Sequence, residues 1–287
     1  SPAILRKMIV VTFQWEKITE HLTRIHGITG ELMYLAEGTE KAALVDTGSG
    51  IGSLRALVET LTDKPCIVLL THGHVDHAMG APEFDTEIYM NPADNAVHDE
   101  HSNLEFRKGS LQNVPEEIVS KIEESDYIPL RTKEYLPLMH GDTFDLGGLT
   151  LEAYACPGHT PGSMVILFKE ERSLLLGDAC NPFTFLFSDH CLYVEEYKES
   201  LQTLKEQTDG KYDHVYLSHG PGDGEANMIE GVIQVCDDIM SGNTDDMPFD
   251  FMGEKAFLAK TLTPKGRADG GVGNIVYKKD RVWKTKG

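Results

Sequence analysis

The chain has 287 residues, of which 46 are acidic and 26 are basic, so its formal net charge is −20. Phosphate backbones repel such a chain, and no apolar run approaches the roughly 20 residues of a membrane-spanning helix, so we predict neither a nucleic-acid nor a membrane partner. Five cysteines without a C-x-x-C pair favour a reducing compartment, and we predict a cytoplasmic protein.

The first third of the chain is predicted to form a layered α/β structure. Four short runs of apolar and β-branched residues are typical of strands, and they cover residues 22–26, 32–36, 42–45 and 67–70. Between the last two runs, Leu54, Leu57, Val58 and Leu61 recur at helical spacing, which predicts a helix over residues 53–61. A strand, a helix and a second strand in succession indicate helices packed on a sheet.

Residues 92–140 differ from this core-forming sequence. They carry many charges and no strong strand pattern, and prolines stand where helices would begin. We predict a helical excursion beside the core, which could serve as a lid or as the contact of a homodimer.

The second half of the chain returns to strands. Hairpins are predicted over residues 143–155, around Gly147-Gly148, and over residues 164–176. Helices are predicted over 200–207 and 225–240, a strand over 214–217, and a closing hairpin over 275–283. No low-complexity linker separates the halves, so we predict a single domain over residues 1–287.

One segment carries an unusual density of metal-binding side chains. His72, His74, Asp76 and His77 lie within six residues, directly after a predicted strand. Imidazole and carboxylate groups are the usual ligands of zinc and similar ions. His72 and His74 can project to one side of an extended loop, while Asp76 and His77 can face a second ion. A loop that is merely rich in histidine is the alternative.

Three further polar residues each stand beside a predicted strand. They are His159, in a turn shaped by proline and glycine, Asp178, and His219. Strand ends are where α/β sheets tend to carry ligand sites. Each residue alone is as well explained by a turn or a helix cap, but together with residues 72–77 they indicate a shared metal site.

This pattern resembles the metallo-β-lactamase superfamily. The family motif H-x-H-x-D-H stands here as residues 72–77, and the later family positions match residues 159, 178 and 219 in order. The resemblance implies an α/β (α+β) fold with a four-layer αββα sandwich. It also implies two divalent metal ions, zinc before iron or manganese.

The resemblance further implies a role for each ligand. One ion would be held by His72, His74 and His159. The other would be held by Asp76, His77 and His219, and Asp178 would bridge the two ions. Asp46, which follows the strand at 42–45, resembles the buried aspartate of the family that orients a metal-binding imidazole, and a simple turn aspartate is the alternative.

Such a site implies hydrolysis. Two ions about 3.5–4 Å apart would deprotonate a shared water, and the hydroxide would attack a carbonyl or phosphoryl centre. Asp76 is the carboxylate best placed to accept a proton or to steer the nucleophile, so we predict it as a catalytic residue. Because His77 and Asp178 are both kept, the chain fits the binuclear hydrolases better than the zinc β-lactamases.

The segment after Asp178 bears on the substrate. Residues 181–193 contain no Lys or Arg, and their aromatic residues predict an apolar substrate mouth formed by Phe183, Phe185, Phe187 and Tyr193. A strand that fills the core is the equal alternative. An apolar mouth favours an acyl bond of a small molecule, as in an ester, lactone or thioester. A phosphodiesterase and an iron-dependent redox enzyme are the alternatives.

Two other histidines stand in the helical excursion. His98 and His101 are three residues apart and could bind a metal, but we interpret them as part of a solvated helix face.

Overall fold

The computed structural model describes residues 13–131 and 134–284. The chain forms two compact units, and the boundary lies between Leu151 and Glu152. Each unit combines a mixed sheet with helices, as the α/β class predicts. The single domain proposed for residues 1–287 stays a prediction, and residues 1–12, 132–133 and 285–287 of that span lie outside the described residues.

The first unit is built on a sheet whose strands are neighbours in chain order. The strands are β1 Gln14–Lys17, β2 Leu22–His26, β3 Leu32–Glu37, β4 Ala42–Val45, β5 Cys66–Leu69, β6 Ile88–Met90 and β7 Leu136–Pro137. Pairing is antiparallel from β1 to β4 and parallel from β4 to β7. The parallel strands end at one edge, so the residues that follow β4 and β5 meet there. A further strand, β8 Thr143–Asp145, leads to the unit boundary.

Short helices cover the loops of this unit. They are α1 Leu54–Leu61, α2 Val75–Ala78, α3 Asn95–Ser102, α4 Leu104–Gly109 and α5 Glu116–Val119, with 3-10 turns at Ala81–Glu83, Pro92–Asp94 and Glu124–Asp126. Ser53 caps α1 because its hydroxyl accepts the Ala56 N–H at 3.1 Å, and Leu54 and Val58 are buried against the sheet. The predicted excursion contains the helices α3, α4 and α5, and its last part returns to the sheet as β7.

The second unit contains two sheets. Its strands are β9 Thr150–Ala155, which runs across the boundary, β10 Met164–Phe168, β11 Ser173–Leu175, β12 Thr184–Leu186, β13 His214–Tyr216, β14 Asp223–Gly224, β15 Met247–Phe251, β16 Glu254–Leu258, β17 Leu262–Thr263, β18 Gly266–Arg267 and β19 Ile275–Tyr277. One sheet takes the order β14-β13-β11-β10-β9, and another takes the order β12-β19-β16-β15. The short strands β17 and β18 pair with each other.

Two long helices pack on this unit, α6 Val194–Thr208 and α7 Met228–Ser241, and 3-10 turns lie at Gly177–Ala179 and Lys279–Arg281. The helix predicted over 200–207 begins earlier, because Val194 and Tyr197 continue its buried face. Among residues 13–131 and 134–284, no helix combines the length and apolarity that crossing a bilayer requires. All five cysteines are free thiols.

The closing hairpin predicted over residues 275–283 is wrong. Only its first half is a strand, and β19 pairs with the distant β12 and β16. The residues beyond form a 3-10 turn. The local hairpin of this region lies upstream, where β15 pairs with β16 around Met252-Gly253.

Candidate metal centre

Four of the predicted ligands cluster in the first unit, where β5 ends and α2 begins. His72 is 2% exposed and His77 is fully buried. The centroid of the His72 ring lies 4.8 Å from that of His74 and 4.3 Å from that of His77. The Asp76 carboxylate lies 3.4 Å from His77 Nε2. The motif therefore places three imidazoles and one carboxylate beside one another.

Asp46 orients two of these imidazoles. Its buried carboxylate accepts hydrogen bonds from the Thr71 N–H and hydroxyl, both at 2.8 Å, and from His77 Nδ1 at 3.0 Å. A carboxylate only accepts, so the neutral His77 ring carries its proton on Nδ1. The Thr71 hydroxyl donates to Asp46 and therefore accepts from His72 Nδ1 at 2.9 Å. Both rings thus present the lone pair of Nε2 for metal binding.

Two residues of the helical excursion support the same loop, and the sequence analysis missed both roles. The buried Asp94 carboxylate accepts the Gly73 N–H at 2.8 Å. His101 Nδ1 accepts the Val75 N–H at 3.0 Å, and its ring stacks on His74 at 4.6 Å with planes 9° apart. The interpretation of His101 as part of a solvated face is therefore wrong. The available signal was the spacing of seven residues between Asp94, at the start of α3, and His101, which corresponds to about two helical turns.

Glu31 is a further buried carboxyl group of this unit. It is 1% exposed, and the Thr29 N–H donates to its Oε2 at 3.0 Å. Burial raises the pKa of Glu31, and the charge of Asp76 raises it further, against the hydrogen bond from Thr29. The carboxyl group of Glu31 packs against Gly27, where a Cβ atom would displace it from this position. No local pattern in the sequence identified Glu31.

The other three predicted ligands cluster in the second unit. Asp178 Oδ2 lies 3.8 Å from His159 Nε2 and 3.2 Å from His219 Nε2. Asp178 and His159 are buried, whereas the His219 side chain is 42% exposed. One carboxylate oxygen between two imidazole nitrogens is an arrangement suited to a bridging ligand.

Strand ends and tight turns place these three side chains. Asp178 lies in the 3-10 turn after β11, and His219 follows β13. His159 Nδ1 lies 2.7 Å from the Phe185 carbonyl, which only accepts, so the proton of the neutral ring is on Nδ1 and its lone pair is on Nε2. Burial, together with the neighbouring His159, lowers the pKa of His190 to about 4. His190 is therefore neutral near pH 7.

The aromatic segment that follows Asp178 forms strand β12. Phe187 is 4% exposed, and Phe183 and Phe185 are half-buried in one cluster. Tyr193 stands at the start of α6, with the Arg281 guanidinium 4.7 Å above its ring. The substrate mouth assigned to these residues stays a prediction.

The candidate donor atoms are of the kinds that bind divalent metal ions. In the first unit, His72 and His74 offer ligand atoms within 4.8 Å of each other, and so do Asp76 and His77. In the second unit, the same holds for Asp178 and His219. Neutral imidazoles with a fixed tautomer, joined by carboxylates, are the ligand chemistry of zinc, iron and manganese sites.

Comparison with known proteins agrees with this chemistry. A beta-lactamase-like protein 2 homolog of Caenorhabditis elegans is 27% identical over 238 residues, which are 78% of this chain and 67% of that protein. The acyl-coenzyme A thioesterase MBLAC2 of Bos taurus is 26% identical over 166 residues, which are 51% of this chain and 57% of that protein. The chain thus spans little more than half of the length of the thioesterase.

A solved structure shows the fold. A metallo-beta-lactamase from Pontibacter korlensis superposes with a TM-score of 0.59 at 17% identity, over 79% of this chain and 99% of that one. This likeness confirms the predicted metallo-β-lactamase-like fold class. The model of the metallo-beta-lactamase superfamily matches residues 27–219, which is more than half of the chain and contains all seven predicted ligands. The chain belongs to the metallo-beta-lactamase superfamily.

Proposed function

We propose that the chain is a binuclear metal-dependent hydrolase that cleaves an acyl bond of a small molecule, with a thioester as the first substrate class to test. The observation that carries the proposal is the donor set. Seven histidine and aspartate side chains lie in the loops, turns and short helix that follow strands, and the Nδ1 atoms of His72, His77 and His159 are each engaged by an acceptor.

Each ligand has a proposed role. We assign His72, His74 and His159 to one ion. We assign Asp76, His77 and His219 to the other, and Asp178 to both. The support is the family motif together with the distances inside each unit, where Asp178 Oδ2 faces both His159 and His219. Zinc is the first metal to test, because imidazole nitrogen and carboxylate oxygen suit it, although they also suit iron and manganese.

The chemistry divides between the metals and the protein. Bound ions would supply a water of lowered pKa and would polarise the acyl oxygen. In the reaction, a water oxygen bonds to the acyl carbon, the carbon–sulfur bond breaks, and the thiol leaves with a proton. The Asp76 carboxylate, which is 25% exposed beside His77, would accept a hydrogen bond from the attacking water. Asp46 would keep the His77 ring aligned during these steps.

The proposed substrate class follows from the residues near the second group of donors. Residues 181–193 contain three phenylalanines and no Lys or Arg, so they suit an apolar acyl group better than a phosphate. A relative named as an acyl-coenzyme A thioesterase supports the thioester among the possible acyl bonds. We propose a small-molecule substrate and no nucleic-acid partner, in keeping with the net charge of −20.

The test uses full-length protein stripped of metal and reloaded with zinc, iron or manganese. We expect close to two ions per chain and hydrolysis of an acyl thioester that depends on the metal. Asp178→Ala should abolish turnover without unfolding the protein, whereas Asp63→Ala, at an exposed position of the same residue type, should leave it unchanged.

Other outcomes would separate the alternatives. Hydrolysis of bis(p-nitrophenyl) phosphate without thioester or ester hydrolysis would make the protein a phosphodiesterase. Oxygen consumption by the iron form, without hydrolysis, would make it a redox enzyme. Full activity of the Asp178→Ala variant would overturn the proposed ligand set.

A further inference from the structure

The sheet formed by β12, β19, β16 and β15 has two different faces. Cross-strand partners lie on the same face, and Phe185 is opposite Val276, which is opposite Leu258 on the next strand. Residues one position away point to the other face, where Leu186 and Ile275 are buried in the main core of the second unit. The face that carries Phe185 is therefore turned away from that core.

Phenylalanines cover this second face, which we call the aromatic face. It consists of Phe183, Phe185, Phe187, Phe249 and Phe251 over the small core of Ala256, Leu258 and Val276. The Phe185 ring centroid lies 5.1 Å from that of Phe187 and 5.0 Å from that of Phe251. Four of the five rings are half-buried, and the ring of Phe187 is buried. Met247 and Met252, at the border of the aromatic face, are each 44% exposed. The face is thus a continuous apolar surface that remains partly open to water.

The aromatic face is connected directly to a predicted metal ligand. The carbonyl of Phe185 accepts the hydrogen bond that orients His159, at 2.7 Å, so the residue that anchors the aromatic face also positions the imidazole. His159 Nε2 lies in turn 3.8 Å from the Asp178 carboxylate. A backbone hydrogen bond therefore links the strand that carries Phe185 to the donor group of the second unit.

The charges around the face select its occupant. The two segments that build it, residues 181–187 and 247–253, contain no Lys or Arg and a single acidic residue, Asp250. At the edge of the face, the Lys278 ammonium is paired with the Glu254 carboxylate, so apolar side chains dominate the surface. A hydrocarbon chain bound on the half-exposed phenyl rings would displace water from them, and this burial of apolar surface is favourable. Three strand spacings of about 4.8 Å give the sheet a width of roughly 14 Å, which suits an extended chain rather than a short acyl group.

We propose that the aromatic face is the binding site for the hydrocarbon chain of the acyl substrate, with Phe249 and Phe251 as residues that determine chain-length specificity. This inference rests on the proposed function and extends it. The hairpin of β15 and β16, about 70 residues beyond Asp178 in sequence, thereby contributes to substrate choice.

The experiment measures zinc-loaded full-length protein with straight-chain acyl thioesters from acetyl to decanoyl, all on the same thiol. We expect kcat/KM to rise by about twofold to fourfold for each added methylene until the face is covered. The double variant Phe249→Ala with Phe251→Ala should lower kcat/KM for the decanoyl thioester on the order of tenfold or more. For the acetyl thioester it should stay within about twofold of the parent.

A matched control is Phe144→Ala, which removes a half-buried phenylalanine of a strand in the first unit, where its ring packs on Tyr89 at 5.0 Å. It should not change the dependence on chain length. Equal losses for acetyl and decanoyl thioesters in the double variant, or no dependence on chain length in the parent, would overturn the inference while leaving the hydrolase proposal intact.

A binding measurement separates the inference from the proposed function. If no thioester is hydrolysed, the proposed function fails, and titration of decanoate into the parent and the double variant decides the inference. On the order of tenfold weaker binding to the double variant supports an apolar chain site. Equal binding to both, or binding to neither, overturns it.

Discussion

The Asp46 carboxylate accepts the Nδ1–H of His77 at 3.0 Å, and both groups are almost completely buried. The same carboxylate accepts the N–H and the hydroxyl of Thr71. Asp46 has a positive φ of 67°, a conformation that costs energy in a residue with a side chain, and these hydrogen bonds stabilise it. One aspartate therefore joins the ends of β4 and β5 to the motif that carries the ligands.

Asp46→Asn should weaken metal binding by about 10-fold to 100-fold. Both oxygens of the Asp46 carboxylate accept hydrogen bonds from Thr71 or His77. Whichever way the asparagine amide is turned, its NH₂ group would therefore meet one of these donors instead of accepting from it. The His77 ring would then lose its alignment. Metal affinity measured by competition with a chromogenic chelator checks this expectation, with Asp63→Asn, at an exposed position, as the control. Equal metal affinity of Asp46→Asn and the parent would show that Asp46 does not orient the ligand.

His101→Ala should destabilise the metal-free protein by about 1–3 kcal/mol, because the buried Val75 N–H would lose its acceptor. The stacking of His101 on His74 would also be lost. His101→Asn is the informative partner variant, since an amide oxygen can replace Nδ1 as the acceptor while the stacking is still removed. Urea unfolding of the two variants should rank alanine below asparagine. If both lie within the error of the parent, the hydrogen bond to Val75 does not stabilise the loop.

Gly158→Ala should cost about 1–3 kcal/mol of stability through overpacking. A Cβ atom at position 158 would lie 2.2 Å from the ring of Tyr197, a residue of α6 that is fully buried and cannot move aside easily. Because His159 is the next residue, metal affinity should fall as well. Gly109→Ala is the matched control, since an added methyl group there meets no atom within 4 Å. Unfolding midpoints in urea for the two variants provide the comparison, and an unchanged Gly158→Ala would contradict this packing argument.

The parts of the fold that the sequence predicts well are those with local causes. β2 and β4 have the predicted bounds because each is a short run of apolar and β-branched residues that ends at turn-forming residues. The candidate donor residues were predicted for the same reason, since each stands near such a run. The closing hairpin failed because β19 takes its partners from residues 184–186 and 254–258, and sequence proximity carries no information on such pairing.

Residues that support the candidate ligands were harder to predict than the candidate ligands themselves. The family resemblance implied Asp46, but Asp94 and His101 act on backbone N–H groups more than 20 residues away. The N–H group that each of them accepts from depends on how the helical excursion packs against the loop at 72–77, and local sequence patterns do not specify such tertiary packing. The hairpin of β15 and β16 did leave a signal, the alternation of Phe249 and Phe251 before Met252-Gly253. That signal predicts a hairpin but not the aromatic face that it completes.

All five cysteines of the native protein should be nearly inert toward thiol reagents. Burial raises the pKa of the thiols of Cys66 and Cys156 to about 12 and that of Cys191 to about 11, and it raises the pKa of Cys180 and Cys236 as well. The thiolate is the reactive form, so a raised pKa lowers the reactive fraction at about pH 8, and reactivity should remain low until the pH approaches these values.

Reaction with DTNB should be slow in the native protein, and all five thiols should react in guanidinium chloride. The slow native reaction should be confined to Cys66, the only one of the five that is not fully buried, and Cys66→Ser should remove it. Rapid labelling of Cys156 or Cys180 in the native protein would show that the core of the second unit opens readily to solvent.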